Sequence, residues 1–228
     1  MVSYLQVTNE NTLSLLTEVV HKIKNSLGGI GGFAALLERD LGPDDPRTAL
    51  SVRIQNGVIR TNDFVVNLME FLQEPELSIA RINPVPVIQQ AWNELWEESN
   101  LPEPDLPLCI DGGSVPPEWD VDLDTFHKLV FHAFRFARIN GGAIDGVRLV
   151  REKKQTDRFQ VFFPIGPQLE LEPGPGHPRI RICEPIEAKL SLYIVIKMAK
   201  FNRANVSLLS HVPNQYILSV QFSEGISA

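Results

Sequence analysis

The sequence predicts an α plus α+β chain: an antiparallel helical hairpin forming a dimeric four-helix bundle, followed by an α/β sandwich. Three observations predict it. Apolar residues recur at alternating steps of three and four from Leu13 to Leu37, and a second such seam runs from Ile54 to Leu72, the signature of packed helices. The pattern changes from about Ile82, after which proline, glycine and short runs of branched and aromatic residues become frequent. Three further helical segments lie among these runs, which gives helices packed on one face of a mixed sheet. The boundary is placed at residue 80, so the expected units are 1–80 and 81–228.

Composition narrows the class. The chain has 228 residues, 43% of them hydrophobic, enough for one large domain or two small ones. A net charge of −7 argues against a broad nucleic-acid-binding surface. Cys109 and Cys183 lie far apart and form no CxxC pair, so a reduced cytosolic protein is expected. No apolar run approaches the roughly 20 residues of a membrane helix, and no signal peptide opens the chain. The expected location is therefore cytoplasmic, without membrane insertion.

The first seam comprises Leu13, Leu16, Val20, Ile23, Leu27, Ile30, Ala34 and Leu37, and should stop at Leu41-Gly42-Pro43. Asp45 then reads as an N-cap with Pro46 at the first helical position. The second seam is Ile54, Val58, Thr61, Val65, Leu68 and Leu72, widened by Leu50, Phe64 and Phe71. Two helices cannot bury so wide a stripe, so pairing with a second copy is expected. The alternative is a hairpin packed on its own C-terminal half.

Farther on, 84–99 reads as a helix with Trp92, Leu95 and Trp96 on one side, and 106–110 as a short strand inside a proline-rich segment. Residues 122–137 read as a helix, VRLVRE and RFQVFFP as strands, 164–178 as a Pro/Gly loop, and 187–201 as a helix. ANVSLLS and YILSVQF form a terminal hairpin. Trp92, Trp96 and Trp119 read as core or interface residues. His127 and His132 lack a metal-ligand set at the right spacing and read as packing or surface groups.

The stretch HKIKNSLGGIGGF, beginning at His21, carries the functional signal. His21 follows the seam residue Val20 and is rotated about 100° from it, so it should face solvent, with Asn25 on the same face. Gly28, Gly29, Gly31 and Gly32 are not a phosphate-binding loop, because no Gly-Lys-Ser/Thr follows. Charged residues close by exclude a membrane-helix packing motif. Glycine costs about 1 kcal/mol within a helix, so the four either soften the helix into a bend or allow close helix packing.

LTEVVHKIKNSLGGIGGFAALLERDL resembles the phospho-acceptor helix, or H-box, of two-component sensor histidine kinases. The matching residues are His21, Ile23, Asn25, Leu27, Ile30, Phe33, Ala34, Leu36 and Leu37. IQNGVIRTNDFVVNLMEFL resembles the second dimerisation helix. The resemblance implies a homodimer that carries phosphate on His21 and a response-regulator receiver domain as partner. Asn25 matches the position that, in the family, orients a hydrolytic water. Lys22 departs from the pattern: the family has Glu or Asp there as a base, a role closed to a cation at neutral pH. A cation there attracts incoming phosphoryl oxygens instead. Glu18, one turn earlier, is within reach of either His21 or Lys22, and Ser26 stands where the family usually has proline.

The second half resembles the family's ATP-binding domain, a GHKL-type α/β sandwich, with its functional positions replaced. VDLDTFHKLVFHAFRFARIN resembles the helix with the Mg²⁺-binding asparagine, VFFPIGPQLEL the adenine-binding segment, and KLSLYIVIKMAKFNRANVSLLS the Gly-Leu-Gly-Leu-Ala region with the following helix and strand. His132 and Phe136 occupy the two asparagine positions, Arg135 the preceding acid, Pro164 the adenine-binding aspartate, and Lys189 and Ser191 two phosphate-loop glycines. Mg²⁺ requires oxygen ligands, and backbone amides reach phosphates closely only at glycine. ATP binding is therefore expected to be lost, with no cofactor of the chain's own and Mg²⁺ supplied by the receiver. The expected function is histidine phosphotransfer in a phosphorelay, with autokinase activity not expected. The alternatives are a receiver phosphatase, an active histidine kinase, and a non-catalytic scaffold or antagonist.

Overall fold

A helix buries apolar residues spaced three and four apart along one stripe, and the first seam forms α1 (Asn9–Leu41), unbroken through its four glycines. The computed structural model describes residues 9–97, 104–111, 118–151, 157–164, 169–172, 179–182, 186–212 and 215–222. The chain divides into two units, Met1–Glu74 and Pro75–Ala228.

In the first unit α1 reverses into α2 (Thr48–Leu72). Gly42 adopts φ 75° just past α1, the left-handed conformation that ends helices at glycine. The carboxylate of Asp45 accepts the Arg47 N–H at 2.8 Å and pairs with the Arg47 guanidinium at 2.7 Å. The Arg47 side chain first, and its N–H second, lower the Asp45 carboxyl to about 2. Asp45 thus makes a capping contact, but the regular helix starts at Thr48, whose Oγ1 donates to the Gly42 carbonyl at 2.6 Å.

The seam of α1 divides between two directions. Val20 and Ala34 are buried and Leu27 and Leu41 half-buried, seven residues apart. This stripe faces α2. A Cβ on Gly31 would lie 3.3 Å from Val58 Cγ1, the Ser51 hydroxyl donates to the Ala34 carbonyl, and Gln55 donates to Glu38 at 2.6 Å. The intervening positions, Ile23, Ile30 and Leu37, are 40%, 49% and 46% exposed. Phe33 is 76% exposed. The side chains of Leu13 and Leu16 lie outside those described.

The second unit contains, in order, β1 (Ile79–Ile82), α3 (Pro84–Glu97), β2 (Leu108–Asp111), β3 (Trp119–Asp122), α4 (Leu123–Gly141), β4 (Gly146–Arg151), β5 (Asp157–Pro164), β6 (Leu169–Glu172), β7 (Arg179–Ile182), α5 (Ile186–Phe201), β8 (Ala204–Val212) and β9 (Gln215–Phe222). The main sheet has the order β2-β4-β5-β9-β8. It is parallel between β2 and β4 and antiparallel elsewhere. Alternate residues of a strand face one side; Phe159, Val161 and Phe163 of β5 are buried, and two of them meet α4, where Phe134 lies edge-on to Phe159 at 5.9 Å and Phe136 to Phe163 at 5.8 Å. α3 and α5 pack against α4. Trp92 and Trp119 are buried and Trp96 is partly so, under the Arg138 guanidinium at 4.8 Å.

Short strands depart from expectation. β1 and β3 pair antiparallel from Ile79 opposite Asp122 to Ile82 opposite Trp119, too short to show a period. The loop expected over 164–178 contains β6, which pairs with β7. LELE and RIRI alternate, and Glu170 stands opposite Arg181 and Glu172 opposite Arg179, favourable cross-strand charge pairs. The Pro/Gly density around them obscured that alternation. Residues 98–99, 165–168 and 173–178, and Cys183, lie outside the described residues.

Asp122 caps α4 rather than opening it, and the helix runs on to Gly141. Its carboxylate accepts the Thr125 and Ser78 N–H groups, each at 2.8 Å. Asn202 accepts the Asp122 N–H at 3.0 Å and donates to Thr125 Oγ1 at 2.8 Å and to the Met198 carbonyl at 3.0 Å. Burial pushes the Asp122 carboxyl up, but the hydrogen bonds from Ser78 and Thr125 outweigh it and its pKa is lowered.

Candidate functional site

His21 sits in mid-α1 with its side chain exposed, directly after buried Val20. The seam fixes this orientation, since one residue of rotation carries the imidazole out of the interface. Asn25, Gly28 and Gly32 follow at four, seven and eleven residues, so they share its face. Asn25 is exposed. A Cβ added at Gly28, Gly29 or Gly32 would meet nothing within 4 Å. Beyond His21 and Asn25 this face therefore carries no side chain at Gly28 and Gly32, and nothing among the described residues crowds them. Of the four glycines only Gly31 serves close packing.

Lys22 is bound to Glu18 at 3.0 Å; of the two contacts within reach of Glu18, this is the one made. The Ser26 hydroxyl donates to the Lys22 carbonyl at 3.0 Å, a back-bond to the preceding turn, at the position where the resemblance has proline. His21 has no hydrogen-bond or ion-pair partner among the described residues. An imidazole so placed can serve as a nucleophile when neutral. Among the described residues no group of three or more His, Cys, Asp or Glu could hold a metal ion.

In the second unit, three of the positions matching nucleotide-binding motifs are buried and three, Arg135, Pro164 and Lys189, are half-buried. His132 and Phe136 are buried in α4, and Phe136 packs on Phe163. A Cβ at Gly141 would lie 2.8 Å from the Pro164 carbonyl oxygen, so the end of α4 abuts the backbone where the aspartate is expected. Ser191 is buried and Lys189 half-buried, both within α5. α4 does carry Asn140, but its amide donates to the Phe136 carbonyl at 2.8 Å, and its carbonyl oxygen is buried without a partner among the described residues. One neutral oxygen does not make the octahedral set Mg²⁺ demands. Among the described residues, the side chains at these matched positions do not offer the oxygen ligands that the resemblance would require for Mg²⁺. His127 pairs with Glu94 at 3.2 Å and serves the contact between α3 and α4.

The sequence reading missed Asn202 and the Ser78 contact, and left Glu18 open between His21 and Lys22. Only the last had a signal, the i, i+4 spacing of opposite charges. Among the described residues no helix is long and apolar enough to cross a membrane.

No protein-family model and no curated protein matches the chain. Solved structures do match. Full-length ShkA, solved in complex with AMPPNP, superposes with a TM-score of 0.65 over 92% of this chain and 45% of its own length, at 16% identity. Histidine kinase ThkA, solved with response regulator protein TrrA, gives 0.55 over 94% of this chain and 64% of its own, at 16% identity. The Acinetobacter baumannii histidine kinase AdeS gives 0.53 over 89% and 95%, at 10% identity. The chain thus spans less than half of ShkA and just under two thirds of ThkA. At such identities the likeness establishes a shared fold, that of the histidine kinases: a helical hairpin followed by an α/β sandwich.

Proposed function

We propose that this chain, which has the histidine-kinase fold, is a histidine phosphotransfer protein that accepts phosphate on His21 from one response-regulator receiver domain and passes it to another, without binding ATP. The observation that carries the reading is an asymmetry between the units. The first presents an exposed imidazole on a face with no side chain at Gly28 and Gly32. The second has buried His132 and Phe136 and a closely abutted Pro164 at the positions that would serve ATP. In this reading 1–80 is the dimerisation and phosphotransfer segment, and 81–228 is a degenerate ATPase-like domain. The protein acts in the cytoplasm.

The chemistry asks little of the chain. The unprotonated nitrogen of neutral His21 donates its lone pair to phosphorus as the bond from phosphorus to the aspartyl oxygen breaks. That electron pair stays on the receiver's carboxylate, and the remaining ring proton passes to solvent. Positioning and charge supply most of the catalysis; Lys22 gives a cation beside the transferring group, and the receiver brings Mg²⁺. The exposed stripe of Ile23, Ile30 and Leu37 supports a homodimer, since four helices can bury what two leave open. ThkA, which shares the fold, was solved in complex with a response regulator protein, and this supports a receiver as the partner here.

The exposure of Asn25 on the His21 face favours a second reading, phosphatase action with Asn25 orienting water on the receiver's aspartyl phosphate. One experiment separates the readings: purified protein and His21→Ala are incubated with labelled ATP and Mg²⁺, and in parallel with a phosphorylated receiver. Label from the receiver alone, lost in His21→Ala, is expected. Label from ATP would establish a kinase, and release of inorganic phosphate without labelled His21 a phosphatase.

A further inference from the structure

We propose that Glu18 is a positioning residue for phosphoryl transfer: its carboxylate holds Lys22 at rest and competes with the incoming phosphoryl group for that ammonium. The proposal rests on the phosphotransfer reading. Glu18 lies three residues before His21 and four before Lys22, so it neighbours both positions along α1, and its carboxylate is paired with Lys22. The pair is made at 3.0 Å, with side-chain exposures of 76% for Lys22 and 64% for Glu18. An ion pair so open to water is weak and exchanges partners readily. A phosphoryl group carries more negative charge than a carboxylate, so the ammonium is drawn to it once a donor has docked. At rest, Glu18 both occupies Lys22 and adds a negative charge beside the approach path of an anion.

The exchange has a direction in the relay. Capture moves Lys22 from Glu18 to the phosphoryl oxygens, and release to the next receiver returns it. Glu18 therefore lowers the affinity of His21 for phosphate and keeps transfer reversible. Lys24, three residues past His21, is a second nearby cation that has no ion-pair partner among the described residues, and it serves as the internal control.

The test measures the rate at which His21 of the full chain takes phosphate from a phosphorylated receiver and, separately, from phosphoramidate. With phosphoramidate the ring nitrogen bonds to phosphorus, the donor's P–N bond breaks, ammonia leaves, and the ring proton goes to solvent. Glu18→Gln is expected to speed capture from both donors about two- to fivefold, the range of an exposed ion pair. The gain should shrink at high salt, disappear in a Lys22→Gln background, and persist in a Lys24→Gln background. An unchanged rate, or a gain that survives Lys22→Gln, overturns the proposal. Label from phosphoramidate but not from any receiver would defeat the relay reading while the Glu18 comparison is still read. Absence of label from both donors defeats the two together.

Discussion

The helices of the hairpin bury Val20, Ala34 and Val65 and leave Ile23, Ile30, Phe33, Leu37, Leu50 and Ile59 in the open, whereas α4 alone buries Phe126, Leu129, Val130, Phe134, Phe136 and Ala137. Both regions carry strong apolar patterns, yet only in the second unit are they closed within the unit itself. A sheet offers a helix a broad surface, while a second helix offers one groove. The hairpin thus retains an exposed apolar stripe, which the proposed dimer would cover, and an exposed His21. The α/β unit buries its apolar residues between helices and sheet, Phe136 among them and His132 with them.

This comparison can be broken at several points. The largest effect is expected in the closed unit: Phe159→Ala should cost about 3–5 kcal/mol in urea unfolding, the range for truncating a buried phenylalanine. A much smaller loss would mean that the core is looser than its aromatic contacts imply. Ile30→Glu should scarcely disturb contacts within the hairpin, yet should raise the dissociation constant of the proposed dimer by more than about tenfold, since an unpaired carboxylate would be buried in its interface. Light scattering across a dilution series reads this, and an unaltered mass would mean the stripe is open in solution.

Asp122→Ala should cost about 1–2 kcal/mol for the lost cap. Because the folded carboxyl is lowered, its stabilisation is fully present above the unfolded value of about 3.9 and is lost as pH falls through the folded value. Wild type and variant should converge in acid; a constant gap would assign the effect to packing. Within the hairpin, Gly28→Ala should gain about 1 kcal/mol of helix propensity, and Gly31→Ala less, because Val58 stands in the way at 3.3 Å. Unaltered phosphotransfer in Gly28→Ala would show that the proposed transfer does not need a softened α1. The smallest effect belongs to Asp45→Asn. Asp45 stabilises above about 3.9, the unfolded value, and loses that contribution as pH falls to about 2, so the variant's thermal midpoint should meet that of wild type near the lower pH.

Long periodic segments were legible because their signal repeats: α1, α2, α4 and α5 were all anticipated, with ends displaced by a few residues. Four-residue strands such as β1 and β3 were not, since two apolar residues define no period and their pairing joins positions over 35 residues apart. The exposure of His21 followed from one step of rotation off the seam. The division of that seam into α2-facing and open halves did not, because a heptad pattern states that both positions are apolar and not which neighbour each meets. The Asp122–Asn202 contact was invisible for a related reason: nothing near residue 202 in sequence announces that its amide will serve a helix start 80 residues earlier.

That contact bears on the order in which the protein comes into being. A helix cap is usually a local affair, complete within four residues. Here Asp122 and Thr125 are made long before Asn202 leaves the ribosome, so the nascent α4 carries a half-built start through the synthesis of β4 to α5. The arrival of a single amide then ties Asp122, Thr125 and Met198 together. A chain ending before that residue would hold most of the domain's hydrophobic mass without its last polar tie, a species exposed to misassembly while translation finishes.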